Sequence, residues 1–423
     1  MHAKPAISIY KPIIAASIGN AFEWYDFTVY AFFASTIARL FFPASDPATA
    51  LLFAVGTYGV GFVMRPLGAV FLGAYADTHG RRAALCLSML LMAAGSLLNA
   101  VTPAYSQIGI AGPAMLIIAR LIQGFSVGGE MGGAIAYLVE MAPANKRGLY
   151  GSWQQTSIAL AIVGGSLTGV ILTHLLEPAA IEAWGWRIPF FLGLLIAPAG
   201  YFIRKKVDES PVFLNQKVAR EATPLHYVIT QQWSGIWAGF GVSILWTITS
   251  YVLIFYMPVY AATQLNISNT SVFIASTIGG LVLLVFSPIF GWLSDFTGGK
   301  NLLLAASISI GLSVYWLFVW LTTSPNLGVL ISVQCIIGIL LSAYTSPIPA
   351  FLAERFPAQL RSTGISVAYN AAVVIFGGFA ALIVTSLIKI LENPLAPSFY
   401  VIFGSVIAIV TLITMNDKIT EEP

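Results

Sequence analysis

The chain's 423 residues are 58% hydrophobic and only 9% charged, with a mean hydropathy of +0.85. Water-soluble domains carry about a quarter charged residues, so this composition excludes an ordinary globular protein and points to the bilayer. The formal charge of +3 sits in short loops between apolar runs, and no nucleic-acid partner is needed to explain it. Cys86 and Cys335 both lie inside apolar runs and set up no disulfide framework. Met1 to Lys11 leads into a long apolar run without a small-residue cleavage site, which reads as an uncleaved start.

A spanning helix needs about 20 apolar residues. Twelve runs qualify: 12–40, 49–76, 83–101, 113–140, 149–175, 188–205, 235–262, 269–294, 301–321, 326–350, 362–390 and 397–415. With the N-terminus inside, fifteen Lys and Arg fall in inner segments and only Arg39, Arg187 and Lys389 in outer ones; Arg65 and Arg120 are within spans. The positive-inside rule then places both termini in the cytoplasm. Residues 206–232 read as a polar cytoplasmic linker between a six-helix unit, 1–205, and a second one, 233–423.

The first span carries Asn20, Glu23 and Asp26, spaced to share a helical face. The second holds Arg65 and ends in the loop G-A-Y-A-D-T-H-G-R-R, from Gly73 to Arg82. Gly73 and Gly80 suit a tight turn, while Asp77, Arg81 and Arg82 can latch helix ends together. The fourth span places Arg120, Gln123 and Glu130 on one stripe, with Glu130 about 15 Å nearer the cytoplasm. The loop recurs after the eighth span as G-W-L-S-D-F-T-G-G-K, Gly291 to Lys300, with Asp295 in the acid position. Phe296 and Gly299-Lys300 depart from the first copy, a change expected to weaken this latch.

Each buried charge costs about 2.5–3.5 kcal/mol at a helix centre, so five within the first, second and fourth spans demand partners or a polar cavity. The second half offers no such charge. It contributes Trp246, Tyr251 and Tyr256 in the seventh span, Gln334 and Tyr344 in the tenth, and Tyr369 and Asn370 in the eleventh. This asymmetry assigns ion coupling to the first half and substrate contact to both. A nucleotide loop of the G-x-x-x-x-G-K-[ST] type and an H-E-x-x-H pair are lacking, which argues against a membrane enzyme.

These residues resemble the major facilitator superfamily, and within it the metabolite:proton symporters. The resemblance rests on G-N-A-F-E-W-Y-D-F from Gly19, R-P-L-G-A from Arg65, R-L-I-Q-G-F-S-V-G-G-E from Arg120, Ser152-Trp153-Gln154-Gln155, and Trp184 to Phe191. It implies an all-α membrane fold of twelve helices in two pseudo-symmetric halves. It also implies proton-driven uptake across a bacterial inner membrane, with substrates that include tricarboxylates, dicarboxylates, 2-oxoglutarate, shikimate and proline or betaine. The last two stretches look most like the citrate and tricarballylate members, so citrate or a related acid is the expected substrate. The alternatives are proline- or betaine-type zwitterions and 2-oxoglutarate or dicarboxylates.

On the same resemblance, Asp26 and Arg120 form the proton-coupling pair, with Glu23 and Glu130 as further acids. Arg120, Gln123, Arg65, Asn20, Tyr251 and Asn370 are the candidate substrate contacts. No cofactor or metal is expected, the partners are the acid, protons and membrane lipid, and a monomer is the expected unit.

Overall fold

The computed structural model describes residues 10–44, 46–79, 81–194, 198, 224–358 and 360–415. Apart from residues 224–232, the linker lies outside them, as do Gly80 and most of the sixth span; the side chains of Gly73, Asp77, Arg81 and Arg82 are outside as well. Among the described residues every regular element is helical. Hydrocarbon offers the backbone no hydrogen-bond partner, so a spanning segment must satisfy itself, and helices do so.

Nine helices are long and apolar enough to cross a membrane among the described residues. They correspond to the second, fourth, fifth and seventh to twelfth predicted spans, for example Pro47–Leu72, Ala111–Glu140 and Arg361–Leu391. The first forms Tyr10–Phe32 and Ala34–Phe41, and the third forms Arg81–Val101. Charge dilutes the hydropathy of the first, through Lys11, Glu23, Asp26 and Arg39, while the third contains the apolar helix Cys86–Val101.

Helix starts at one end of the bundle are fixed by side-chain caps. Asp46 accepts from the Ala48 N–H with Pro47 in the first turn, Ser268 accepts from Ser271 and Asn326 from Val329. At the opposite end, Gly298 turns the chain between the eighth and ninth spans at φ +81°, a conformation open to glycine.

Several predicted spans are broken. The fourth divides at Gly129 into Ala111–Gly128 and Glu130–Glu140, and the fifth divides at Ser152. The seventh passes through a π-helical turn, Tyr251–Phe255, and the eleventh through another, Val373–Gly377. Such turns are frequent at functional sites. The two meet: a Cβ on Gly377 would stand 2.9 Å from the Tyr251 ring and from Thr247.

The second and fourth spans touch backbone to backbone. A Cβ on Gly124 would collide with the Gly61 carbonyl, one on Gly128 with the Arg65 carbonyl, and one on Gly68 with the Phe125 carbonyl. Small residues allow such approach between membrane helices. Arg65 and Arg120 both issue from this seam.

Ties between the first six spans and the last six occur at both ends. At the end bearing the repeated loop, Asp295 accepts from the backbone N–H groups of Gly148 at 2.6 Å and Leu149 at 3.0 Å. Glu140 faces Arg361 there at 3.5 Å. At the other end, Lys389 meets Asp46 at 2.9 Å.

A candidate site of buried charges and an aromatic cavity

Asp26, Arg65, Arg120, Glu23 and Glu130 are all buried, and they are the five buried charged side chains among the described residues. All come from the first, second and fourth spans, as the sequence pattern requires. The structure sorts them into separate environments.

Asp26 and Arg120 are completely buried and face each other at 3.7 Å. Gln123, one turn along from Arg120, donates its amide to Asp26 and also to Ser96 at 3.2 Å, while Asn99 donates to the Gln123 carbonyl oxygen at 3.3 Å. The Arg120 guanidinium lies over the Tyr30 ring at 4.0 Å. Its three nitrogens have no hydrogen-bond partner among the described residues. An unshielded guanidinium beside a carboxylate held by an amide is a coupled charge pair: removing the acid's charge frees the cation.

Arg65 is equally buried but differently enclosed. Its guanidinium lies 4.4 Å from the Phe62 ring, 5.6 Å from Phe27 and 5.9 Å from Trp24. None of its nitrogens is hydrogen-bonded among the described residues. The groups that act on it electrostatically are Tyr251, Tyr369, Glu23 and Tyr58. Cation–π contacts offset only about 0.5–2 kcal/mol, and apart from the nearby Tyr369 hydroxyl most of the planar set of five N–H donors remains available.

Glu23 therefore belongs with Arg65 rather than Arg120, and the helical face it was expected to share with Asn20 and Asp26 is divided among three neighbours. Asn20 is committed to the fifth span: it donates to the Gln154 carbonyl at 3.2 Å and to Ser157 at 2.6 Å, and it accepts from the Gln154 amide at 2.8 Å. Glu130, beyond the break at Gly129, accepts from Ser88 at 3.3 Å, apart from the Asp26 pair. Asn370 donates across to the Gly128 carbonyl at 3.3 Å and leaves its own oxygen without a partner.

A small cavity, with room for about one water molecule, lies between the first, fifth, seventh and eleventh spans, so a larger ligand enters it only as the surrounding helices part. Trp24, Gln155, Trp246, Thr247, Tyr251 and Tyr369 line it. The Trp24 ring N–H, the Tyr251 hydroxyl and both amide atoms of Gln155 are buried without hydrogen-bond partners among the described residues. Trp24 and Gln155 stand in the quoted motifs, yet neither was singled out as a contact. In sequence an indole and an amide in an apolar helix are ordinary core residues, and only the convergence of four spans reveals them. Unspent polar capacity around a cavity is completed by water or by a ligand.

The expected weakening of the second loop does not remove its contact. Asp295 is fully engaged, and Phe296, where a basic residue was expected, packs edge-on against Trp292 at 4.9 Å.

A bundle of apolar helices with charges buried and partnered in its interior has the architecture of a solute carrier. The model of sugar (and other) transporters matches residues 12–224, and that of the major facilitator superfamily matches residues 239–418. The chain belongs to the major facilitator superfamily, and it has that fold: all-α, with twelve membrane helices in two pseudo-symmetric halves.

It is similar to the citrate-proton symporter of Salmonella typhi, at 36% identity covering 92% of this chain and 89% of that one. The citrate-proton symporter of Klebsiella pneumoniae is 33% identical over 93% of this chain and 89% of its own length. The proline/betaine transporter of Escherichia coli strain K12 is 31% identical, covering 96% and 83%. Among solved structures, the xylose transporter XylE of E. coli in a partially occluded inward-open form superposes with a TM-score of 0.75 at 17% identity, over 98% of this chain and 99% of that one. That likeness bears on the fold alone.

Proposed function

We propose that the protein imports a small organic acid, citrate or a related tricarboxylate, together with protons by alternating access. The observation that carries this reading is the pair of buried arginines, one facing a buried carboxylate and the other lying against Trp24, a residue of the cavity wall. Arg65 supplies the planar fork that recognises a carboxylate. Asp26 carries the proton, and Arg120 reports its charge state to the rest of the site. With Asp26 ionised, Arg120 is held at the carboxylate; with Asp26 protonated, the guanidinium is free to act on an entering anion. Proton and acid thereby favour each other's binding, as linkage requires of symport.

The two ends then serve as gates. The loop end faces the cytoplasm on the distribution of Lys and Arg, in a bacterial inner membrane, and the Asp46–Lys389 end faces outward. Residues 1–205 and 233–423 move against each other as the two units, with 206–232 as their connection and the first-copy residues Asp77, Arg81 and Arg82 as the matching latch. A single chain is sufficient for the cycle.

A second reading, uptake of proline or betaine, is favoured by the Trp24, Trp246, Tyr251 and Tyr369 rings around the cavity, since aromatic cages recognise quaternary amines. Arg65 opposes it, because its guanidinium already lies against Trp24 and repels a second cation. The test is uptake of labelled citrate into proteoliposomes under an inward proton gradient, with proline and betaine as competitors. Gradient-driven accumulation of citrate that neither competitor reduces supports the acid; accumulation of betaine in its place overturns it.

A further inference from the structure

Gln154 and Gln155 are adjacent in sequence and opposite in circumstance. Gln154 is spent within the protein, donating to Asn20 at 2.8 Å and to the Met131 sulfur at 3.0 Å. Gln155 is 1% exposed, lines the central cavity, and has neither its Nε2 nor its Oε1 hydrogen-bonded among the described residues. A buried amide in this state is destabilising until a ligand completes it. The ligand must meet both atoms. A carboxylate accepts from Nε2 but has no hydrogen for Oε1, so an acid group alone leaves half of Gln155 unsatisfied. A hydroxyl both donates and accepts, and it completes the amide.

We propose that Gln155 reads a hydroxyl group on the substrate, so that the carrier selects hydroxy acids over the same acids lacking the hydroxyl. The inference rests on the organic-acid reading above and deepens it. Within it, Arg65 holds a carboxylate, while Gln155, entering from the fifth span, addresses the uncharged polar group of the same molecule. Trp24 and Tyr251 contribute a ring N–H and a hydroxyl at the cavity wall. Sites built to hydrogen-bond a substrate hydroxyl discriminate strongly against the analogue without it, because the site's own buried groups are then left unpaired.

The experiment measures kcat/KM for uptake into proteoliposomes of two matched pairs, citrate with tricarballylate and malate with succinate, by the wild-type protein and by Gln155→Leu. The expected result is a preference of about tenfold or more for the hydroxy member of at least one pair. In Gln155→Leu that preference falls to within about twofold while uptake of the deoxy member is retained. Retained deoxy-acid uptake also shows that the variant is folded, and the wild-type preference is informative even if the variant fails to insert. Equal handling of both pairs by the wild-type protein, or loss of both members alike in an inserted variant, overturns the proposal while leaving the organic-acid reading in place. Uptake of none of the four acids overturns that reading as well.

Discussion

Arg120 and Arg65 are both completely buried, on neighbouring spans that touch backbone to backbone, yet they live in different electrostatic surroundings. Arg120 has a carboxylate at 3.7 Å and a tyrosine ring at 4.0 Å. Arg65 has three rings within 6 Å and no hydrogen bond among the described residues. The insertion cost, about 2.5–3.5 kcal/mol each, is offset by a facing carboxylate in the first case, and in the second by ring faces together with the more distributed field of Glu23 and three tyrosines. A cation set against one carboxylate suits a charge relay. One held by rings and a diffuse field keeps donor capacity for a partner that comes and goes.

Breaking the relay is expected to have the largest effect. Asp26→Asn should abolish proton-driven accumulation, a drop of about a hundredfold or more, while exchange of acid for acid across the membrane continues, because binding survives without the proton step. Counterflow measured beside gradient-driven uptake separates the two; loss of both would place Asp26 in the binding site itself. Arg65→Lys sharpens the other side of the comparison. The ammonium keeps the charge but loses the planar fork, so KM for the acid should rise about tenfold or more with less change in kcat. An unaltered KM would remove Arg65 from the substrate site.

Smaller effects are expected away from both arginines. Asp295→Ala removes the acceptor of two N–H groups and should lower the transport rate about fivefold, from a hydrogen-bond loss of about 1 kcal/mol, at constant KM. Smallest is the Asp46–Lys389 contact, which is exposed to water. Its Lys389 and Thr49 hydrogen bonds, together with the Ala48 N–H, hold the Asp46 carboxyl down at about 2. A carboxyl lowered in this way supports the contact above its ordinary value and loses it only as pH falls through about 2. Between about pH 5 and 8 the pair should therefore add no pH dependence, and Lys389→Gln should change uptake less than about twofold, with the difference shrinking as salt rises. A pH profile that shifts in Lys389→Gln would contradict this.

Much of this architecture was legible in the chain. Long apolar runs separated by basic loops specify a helical bundle because hydrocarbon tolerates little else, and charges within such runs are rare enough to mark a site on their own. Asp26 and Arg120 face each other as the family resemblance implied, and Gln123 joins them from the helical face its spacing shares with Arg120. The finer geometry was not legible, because helical periodicity fixes a face but not its neighbour. Asn20, Glu23 and Asp26 share a stripe and yet meet the fifth span, the surroundings of Arg65, and the fourth span respectively. Gln155 was hidden for a related reason: nothing local distinguishes it from Gln154, and only the arrangement of the fifth span against the first and seventh leaves one amide spent and the other idle.

The glycine seam joining the second and fourth spans has a mechanical meaning. Gly61, Gly68, Gly124 and Gly128 leave no clearance for sliding, since even a methyl group would strike a main-chain carbonyl. The two arginines stand on helices packed at this backbone distance, so on the reading proposed above the relay and the binding fork move as one piece. A carrier built this way keeps its measuring gauge fixed while the casing around it rocks.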